Sequence, residues 1–86
     1  MSPESFIGTI STFAGHYAPM GWMDCAGQSL QVSQYPALYS IIGTTYGGDN
    51  AKFQLPDFRP EIDGVKVNWT KERKCICIEG IYPSRP

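Results

Sequence analysis

Histidine is nearly absent from the 86 residues: His16 stands alone. Two-histidine metal sites are thereby excluded, and an acid-base dyad has one imidazole to draw on, with no partner at any motif spacing. No apolar run approaches the ~18 residues that span a bilayer, so no membrane partner is expected. A basic excess is also missing. The net charge is −1, which supplies no field for nucleic acid or an anionic surface. The one basic run, Lys71-Glu72-Arg73-Lys74, carries an acid inside it and reads as a solvated strand entrance. The paired glycines Gly47-Gly48 lack the Gly-Lys-Ser/Thr and the strand-loop-helix order of a phosphate cradle. Met1 to Ser5 has neither the basic residue nor the apolar stretch of a signal peptide, so synthesis in the cytosol of the producing cell is expected. Without a secretory route, the sequon Asn68-Trp69-Thr70 is read as a chance match.

What is present points to a small folded unit. Apolar residues make up 42% and charged residues 17%, a globular balance. Five Tyr, four Phe and two Trp are a heavy aromatic load, and seven Pro with nine Gly favour turns and short strands. One domain over residues 1–86 is expected. Chains of this size bury only about 60–65% of their unfolded surface, so staples or self-association are the usual supplement. The acids are scattered, mostly beside Gly or Pro, and the apolar residues are needed for one core rather than for pocket walls. No catalytic residue, cofactor site or metal site is assigned, and the chain is not expected to be an enzyme.

The three cysteines, Cys25, Cys75 and Cys77, form an odd count. Cys75 and Cys77 share one face of a strand, about 6.5–7 Å apart with parallel side chains, which does not suit a mutual disulfide. Pairing of one of them with Cys25 or with a neighbouring chain stays open. A Cys-Cys-Cys-His zinc set is arithmetically possible but lacks a C-x-x-C knuckle. Buried free thiols are the default.

Along the chain, Phe6–Phe13 reads as a first strand, with Gly8 marking a bulge or a close backbone contact. His16 lies in the loop that follows. From Trp22 the pattern gives a short strand, a tight turn around Gly27 and a return through Leu30 and Val32. Trp22 is read as a core anchor and Asp24 as a turn-capping carboxylate. The one clear helix runs from Ser33, a candidate N-cap, through Pro36 in the first turn to Gly43 as a left-handed cap. Its apolar stripe is Tyr35, Leu38, Ile41 and Ile42. Phe53–Phe58 is a short extended piece, Asp63-Gly64 the best hairpin turn, and Lys74–Tyr82 the strongest strand. Ile76 and Ile78 face one side of that strand, and Cys75, Cys77 and Glu79 the other. Pro3, Pro83 and Pro86 suggest extended terminal arms.

The ordered set Phe6-Ile7-Gly8-Thr9-Ile10, Phe13-Ala14-Gly15, Tyr17-Ala18-Pro19-Met20-Gly21-Trp22, Cys25-Ala26-Gly27-Gln28 and Val32-Ser33 resembles the opening of phage tail-collar domains. This family is shared with the microcystin-dependent proteins of bacteria. The similarity continues through Tyr35–Asp49 and Phe53-Gln54-Leu55-Pro56-Asp57, and resumes at Ile78–Arg85. The resemblance implies a small α+β fold of short strands and one main helix, trimeric, located in the tail, neck or collar appendage of a virion and made in the host cytoplasm. Its signature residues here are Gly21, Trp22, Gly27, Gly43, Pro56 and Asp57. The long glycine- and histidine-rich insertion of larger relatives, and its His-x-His pair, are missing. This favours a virion structural role through self-association and contact with other virion proteins. The alternative is a carbohydrate- or receptor-binding adhesin module. Trp69, Tyr46 and Tyr17 are the candidate contacts with a subunit, glycan or host receptor. A disulfide from Cys25, Cys75 or Cys77 that stiffens the particle is a further expectation.

Overall fold

The computed structural model describes residues 5–69 and 71–83. The tail 84–86, the arm at Pro3 and the sequon's Thr70 lie outside them. Among the described residues, seven short strands and one helix follow the order β1 (Ile10–Phe13), β2 (Trp22–Asp24), β3 (Ser29–Gln31), α1 (Pro36–Ile42), β4 (Lys52–Gln54), β5 (Glu61–Ile62), β6 (Val65–Lys66) and β7 (Arg73–Cys77). The architecture is α+β. β7, from the far end of the chain, lies between β1 and β2, antiparallel to both. β3 pairs with β4 and β5 with β6.

The first strand is shorter than the composition suggests, because Phe6–Thr9 is a turn. Thr9 N–H bonds the Phe6 carbonyl at 3.1 Å, with Gly8 at φ 93°. Gly8 N–H and the Thr9 carbonyl both bond Cys77, so two residues oppose one. This is the glycine bulge that Gly8 announced. A side chain at Gly8 would also press on Ile41 of the helix.

β2 and β3 do not form the expected strand and return. Trp22–Asp24 pairs with β7 and Ser29–Gln31 with β4. The turn between them is stitched instead by Gln28, whose amide bonds the Asp24 carbonyl at 2.8 Å and accepts Ala26 N–H at 3.1 Å. Asp24 is not a turn cap: its carboxylate pairs with Arg73 across the sheet at 2.7 Å.

The helix begins at Pro36, with Tyr35 rather than Ser33 at the cap position and no side-chain cap. Proline in the first turn needs no donor there, which removes part of the demand for one. Gly43 closes the helix through its N–H to the Tyr39 carbonyl at 2.7 Å. Its φ is 56° but its ψ is −141°, so the chain leaves extended rather than in the left-handed helical form expected. Of the apolar stripe, Leu38 is fully buried, Tyr35 and Ile42 pack on the core, and Ile41 is exposed.

The core joins Ile7, Cys25, Leu30, Leu38, Phe53, Leu55 and Ile76. Trp22 is not among them. It is half-buried on the other face of the β1-β7-β2 sheet, edge-on to Phe13 at 5.1 Å. The last strand stops at Cys77, short of Tyr82. Cys75, Ile76 and Cys77 are all fully buried, because this strand is central and covered on both faces.

Candidate functional site

Three of the six signature residues meet in one place. Gly27 N–H bonds the Pro56 carbonyl at 3.2 Å, Leu55 N–H bonds the Gln28 carbonyl at 3.0 Å, and Phe58 N–H bonds the Cys25 carbonyl at 2.9 Å. The Cys25–Gln28 turn is thereby laced to Leu55-Pro56-Asp57. Gly27 (φ 77°) faces Asp57 so closely that an added Cβ would stand 3.3 Å from that side chain. Asp57 is further held by Arg59, whose Nε and Nη2 donate to the two carboxylate oxygens at 3.0 and 2.9 Å. The guanidinium beside it draws the Asp57 carboxyl down to about 2. Gly21 and Trp22 lie at a different join, where the Gly21 carbonyl accepts Ile78 N–H and Glu79 N–H at 2.9 and 3.2 Å. Gly43 stands apart, at the helix end. The signature is thus a set of joints, and the chemistry it provides is positional.

The thiols are equally passive. All three cysteines are free and buried, so none of the disulfides left open by the odd count is formed within the chain. Cys25 faces the core with Ile76, while Cys75 and Cys77 face the opposite side. There Phe13, opposite Arg73, and Trp22, opposite Cys77, close edge-to-face across β7. Desolvation pushes the Cys75 thiol up to about 12, helped by Asp24, whose carboxylate accepts the S–H at 3.4 Å. Burial pushes Cys25 to about 11. Such groups are protonated at neutral pH and make poor nucleophiles or metal ligands. Among the described residues, no three His, Cys, Asp or Glu side chains gather as metal ligands, and no helix is long and apolar enough to cross a membrane.

Of the candidate contact aromatics, Tyr17 is 78% and Tyr46 42% exposed. Trp69 is half-buried, less free than a surface platform. Together with Lys71 it lines two open clefts. One, of about 230 Å³, is lined by Ala14, Gly15, His16, Trp69, Lys71 and Arg73. The other, of about 370 Å³, is lined by Phe58, Pro60, Trp69, Lys71, Glu72 and Lys74. Neither tyrosine joins it in these clefts. Residues 8–62 match the Phage Tail Collar Domain family, well over half the chain. The chain belongs to this family. A collar domain is a structural part of phage tails and fibres, not an enzyme. Protein RhiB of Rhizobium leguminosarum bv. viciae is also similar, 42% identical over 43 residues. That match covers 45% of this collar domain but 20% of RhiB, so the chain spans about a fifth of that relative's length. The family match ends at Ile62, so the resemblance over Ile78–Arg85 is not part of it.

Sequence reasoning missed Arg73, Arg59 and Gln28, each of which holds a joint. Asp57-x-Arg59 carried a local signal, an acid and a base two residues apart beside a proline. Arg73 carried none, since its partner Asp24 is 49 residues away.

Proposed function

We propose that this collar domain is a structural module of the tail, neck or fibre region of a phage or phage-derived particle, acting by self-association, as a homotrimer, and by binding other particle proteins. The observation that carries the reading, beside the family, is the distribution of apolar surface. Among the described residues, seven make the core cluster, while eleven large hydrophobic residues are exposed, among them Met20 (93%), Val65 (62%) and Ile62 (59%). A lone soluble domain scatters a few such residues; this density fits surfaces that become covered. Phe6, Ile81 and Tyr82 lie together where the two ends of the chain meet: Phe6 bridges Ile81, and the Tyr82 hydroxyl bonds Ser40 Oγ at 2.6 Å.

Light scattering of the purified chain tests the reading. A multiple of three subunits is expected, unchanged by reductant because the thiols are buried and unpaired. A monomer at all concentrations would overturn it. The second reading, an adhesin module, draws support from Trp69 and Lys71, which line both clefts. A glycan-array signal abolished by Trp69→Ala would favour that reading, and silence the scaffold.

A further inference from the structure

A sheet edge presents backbone N–H and C=O groups sideways, and proteins normally block or charge such edges. In this fold the other edges are each capped in part or charged. On β2 the outward residues are Trp22 and Asp24, since Cys25 N–H bonds across to the Lys74 carbonyl. Trp22 N–H is taken by the Pro19 carbonyl at 3.0 Å, and the Asp24 carbonyl by Gln28. On β4 the Gln54 N–H bonds the Gly47 carbonyl, and the Lys52 carbonyl accepts Asp49 N–H at 2.7 Å. On β3 the Gln31 carbonyl accepts the N–H groups of Gln34 and Tyr35, while the Ser29 backbone groups and the Gln31 N–H have no partner among the described residues. In the β5–β6 hairpin the outward positions are Glu61 and Lys66, both charged.

Among the described strands, β1 is the one whose outward groups are all without a partner and whose residues carry no charge. Cys77 N–H bonds the Thr9 carbonyl, so with antiparallel alternation Ser11 and Phe13 bond to β7, and the backbone groups of Ile10 and Thr12 point outward. Among the described residues none of these four groups has a hydrogen-bond partner. The strand, Ile10-Ser11-Thr12-Phe13, has no charge and no proline, and its first three residues are exposed.

We propose that this edge of β1 is a two-fold contact with a second copy of the chain, the two β1 strands pairing antiparallel about Ser11. The edge is self-complementary in that register. Ile10 of each copy faces Thr12 of the other, and all four outward groups of each strand are paired. Shifting the register by two residues leaves one of the two residues in each copy unpaired. The facing side chains are β-branched and uncharged, a favourable cross-strand combination. Ser11, small and on the axis, lets the strands approach. The nearest charge, Lys74, is tied to Thr12 Oγ1 at 3.0 Å. The contact rests on the reading that the chain self-associates, but it is separate from any three-fold contact. By itself it gives a dimer, and with a trimer it gives an even-numbered assembly.

The test uses Ser11→Cys in the full chain. Across the axis the two position-11 residues form a directly opposed, non-hydrogen-bonded pair with Cα atoms about 4.5 Å apart, within disulfide range. The native thiols are fully buried and do not compete. Mild oxidation is expected to give a covalent dimer on a non-reducing denaturing gel. Thr12→Pro removes an outward N–H and the exposed Lys74 contact but no backbone bond to β7; it is expected to halve the solution mass with the far-ultraviolet spectrum retained. Ile10→Lys, which charges the same edge, should do the same if the proline variant fails to fold. A wild-type oligomer that neither cross-links through position 11 nor loses mass in these variants overturns the β1 contact and leaves self-association standing. A wild-type monomer overturns both.

Discussion

The β1-β7-β2 sheet and the β5–β6 hairpin are held by opposite means. In the sheet, strands from the two ends of the chain are brought side by side, and Cys75, Ile76 and Cys77 disappear completely from solvent. In the hairpin, Ile62 and Val65 pair across a two-residue turn, with Asp63 at φ 53° and Gly64 at φ 80°, and both apolar side chains remain exposed. Local turn chemistry is sufficient to shape the hairpin, since an Asp-Gly turn matches the strand twist by itself. A two-stranded ribbon of this size gains little independent stability. It is anchored instead through Lys66, whose ammonium bonds the Asp57 and Arg59 carbonyls at 3.2 Å. Burial holds the sheet region together, and the hairpin hangs from it as a surface for contact.

The buried side of the contrast can be broken most sharply at Phe53 on β4, which shares the core with Ile76 of β7, is fully buried and packs on Tyr39 at 5.4 Å. Phe53→Ala is expected to cost about 3–5 kcal/mol, enough to unfold so small a domain; urea denaturation or the loss of the native spectrum at 25 °C measures it. A smaller effect is expected at the joint between the two regions. The Asp57 carboxyl sits at about 2, below its ordinary 3.8, so it contributes stability that is present above pH 3.8 and lost as pH falls towards 2. Asp57→Asn should flatten the acid limb of the stability profile across that window. At neutral pH it should cost about 1 kcal/mol or less, because the Arg59 pair is partly exposed. The smallest effect is expected in the hairpin. Ile62→Ser with Val65→Ser should change the unfolding free energy of the isolated chain by about 0.5 kcal/mol or less per site. A loss comparable to that of Phe53→Ala would show that the hairpin belongs to the core after all.

Legibility followed the range of the forces. The Gly8 bulge, Pro36 at the helix start and the Asp63-Gly64 turn were readable because each depends on the φ preference of one or two residues. Cys75 and Cys77 were correctly placed on one face by alternation alone. Trp22 was misjudged because aromatic bulk says that a residue will be covered, not by which face. It covers the thiol side of the sheet with Phe13 rather than entering the core. Asp24 was misjudged because an acid beside a turn suits a local cap as well as a distant cation, and Arg73 lies far along the chain. The joint of Gly27 with Pro56 and Asp57 was visible only as a set of signature residues; nothing in their spacing said that they touch.

The sequence by itself determined the α+β character, the turns, the helix and the membership of the collar family, because glycine, proline and periodic apolar residues act over a few positions. Tertiary structure alone decided that β7 sits between β1 and β2, that Asp24 pairs with Arg73, and that β1 keeps an open edge. Those outcomes depend on which strands meet across the chain, and pairing at that range is selected by the burial of the whole core rather than by any one residue.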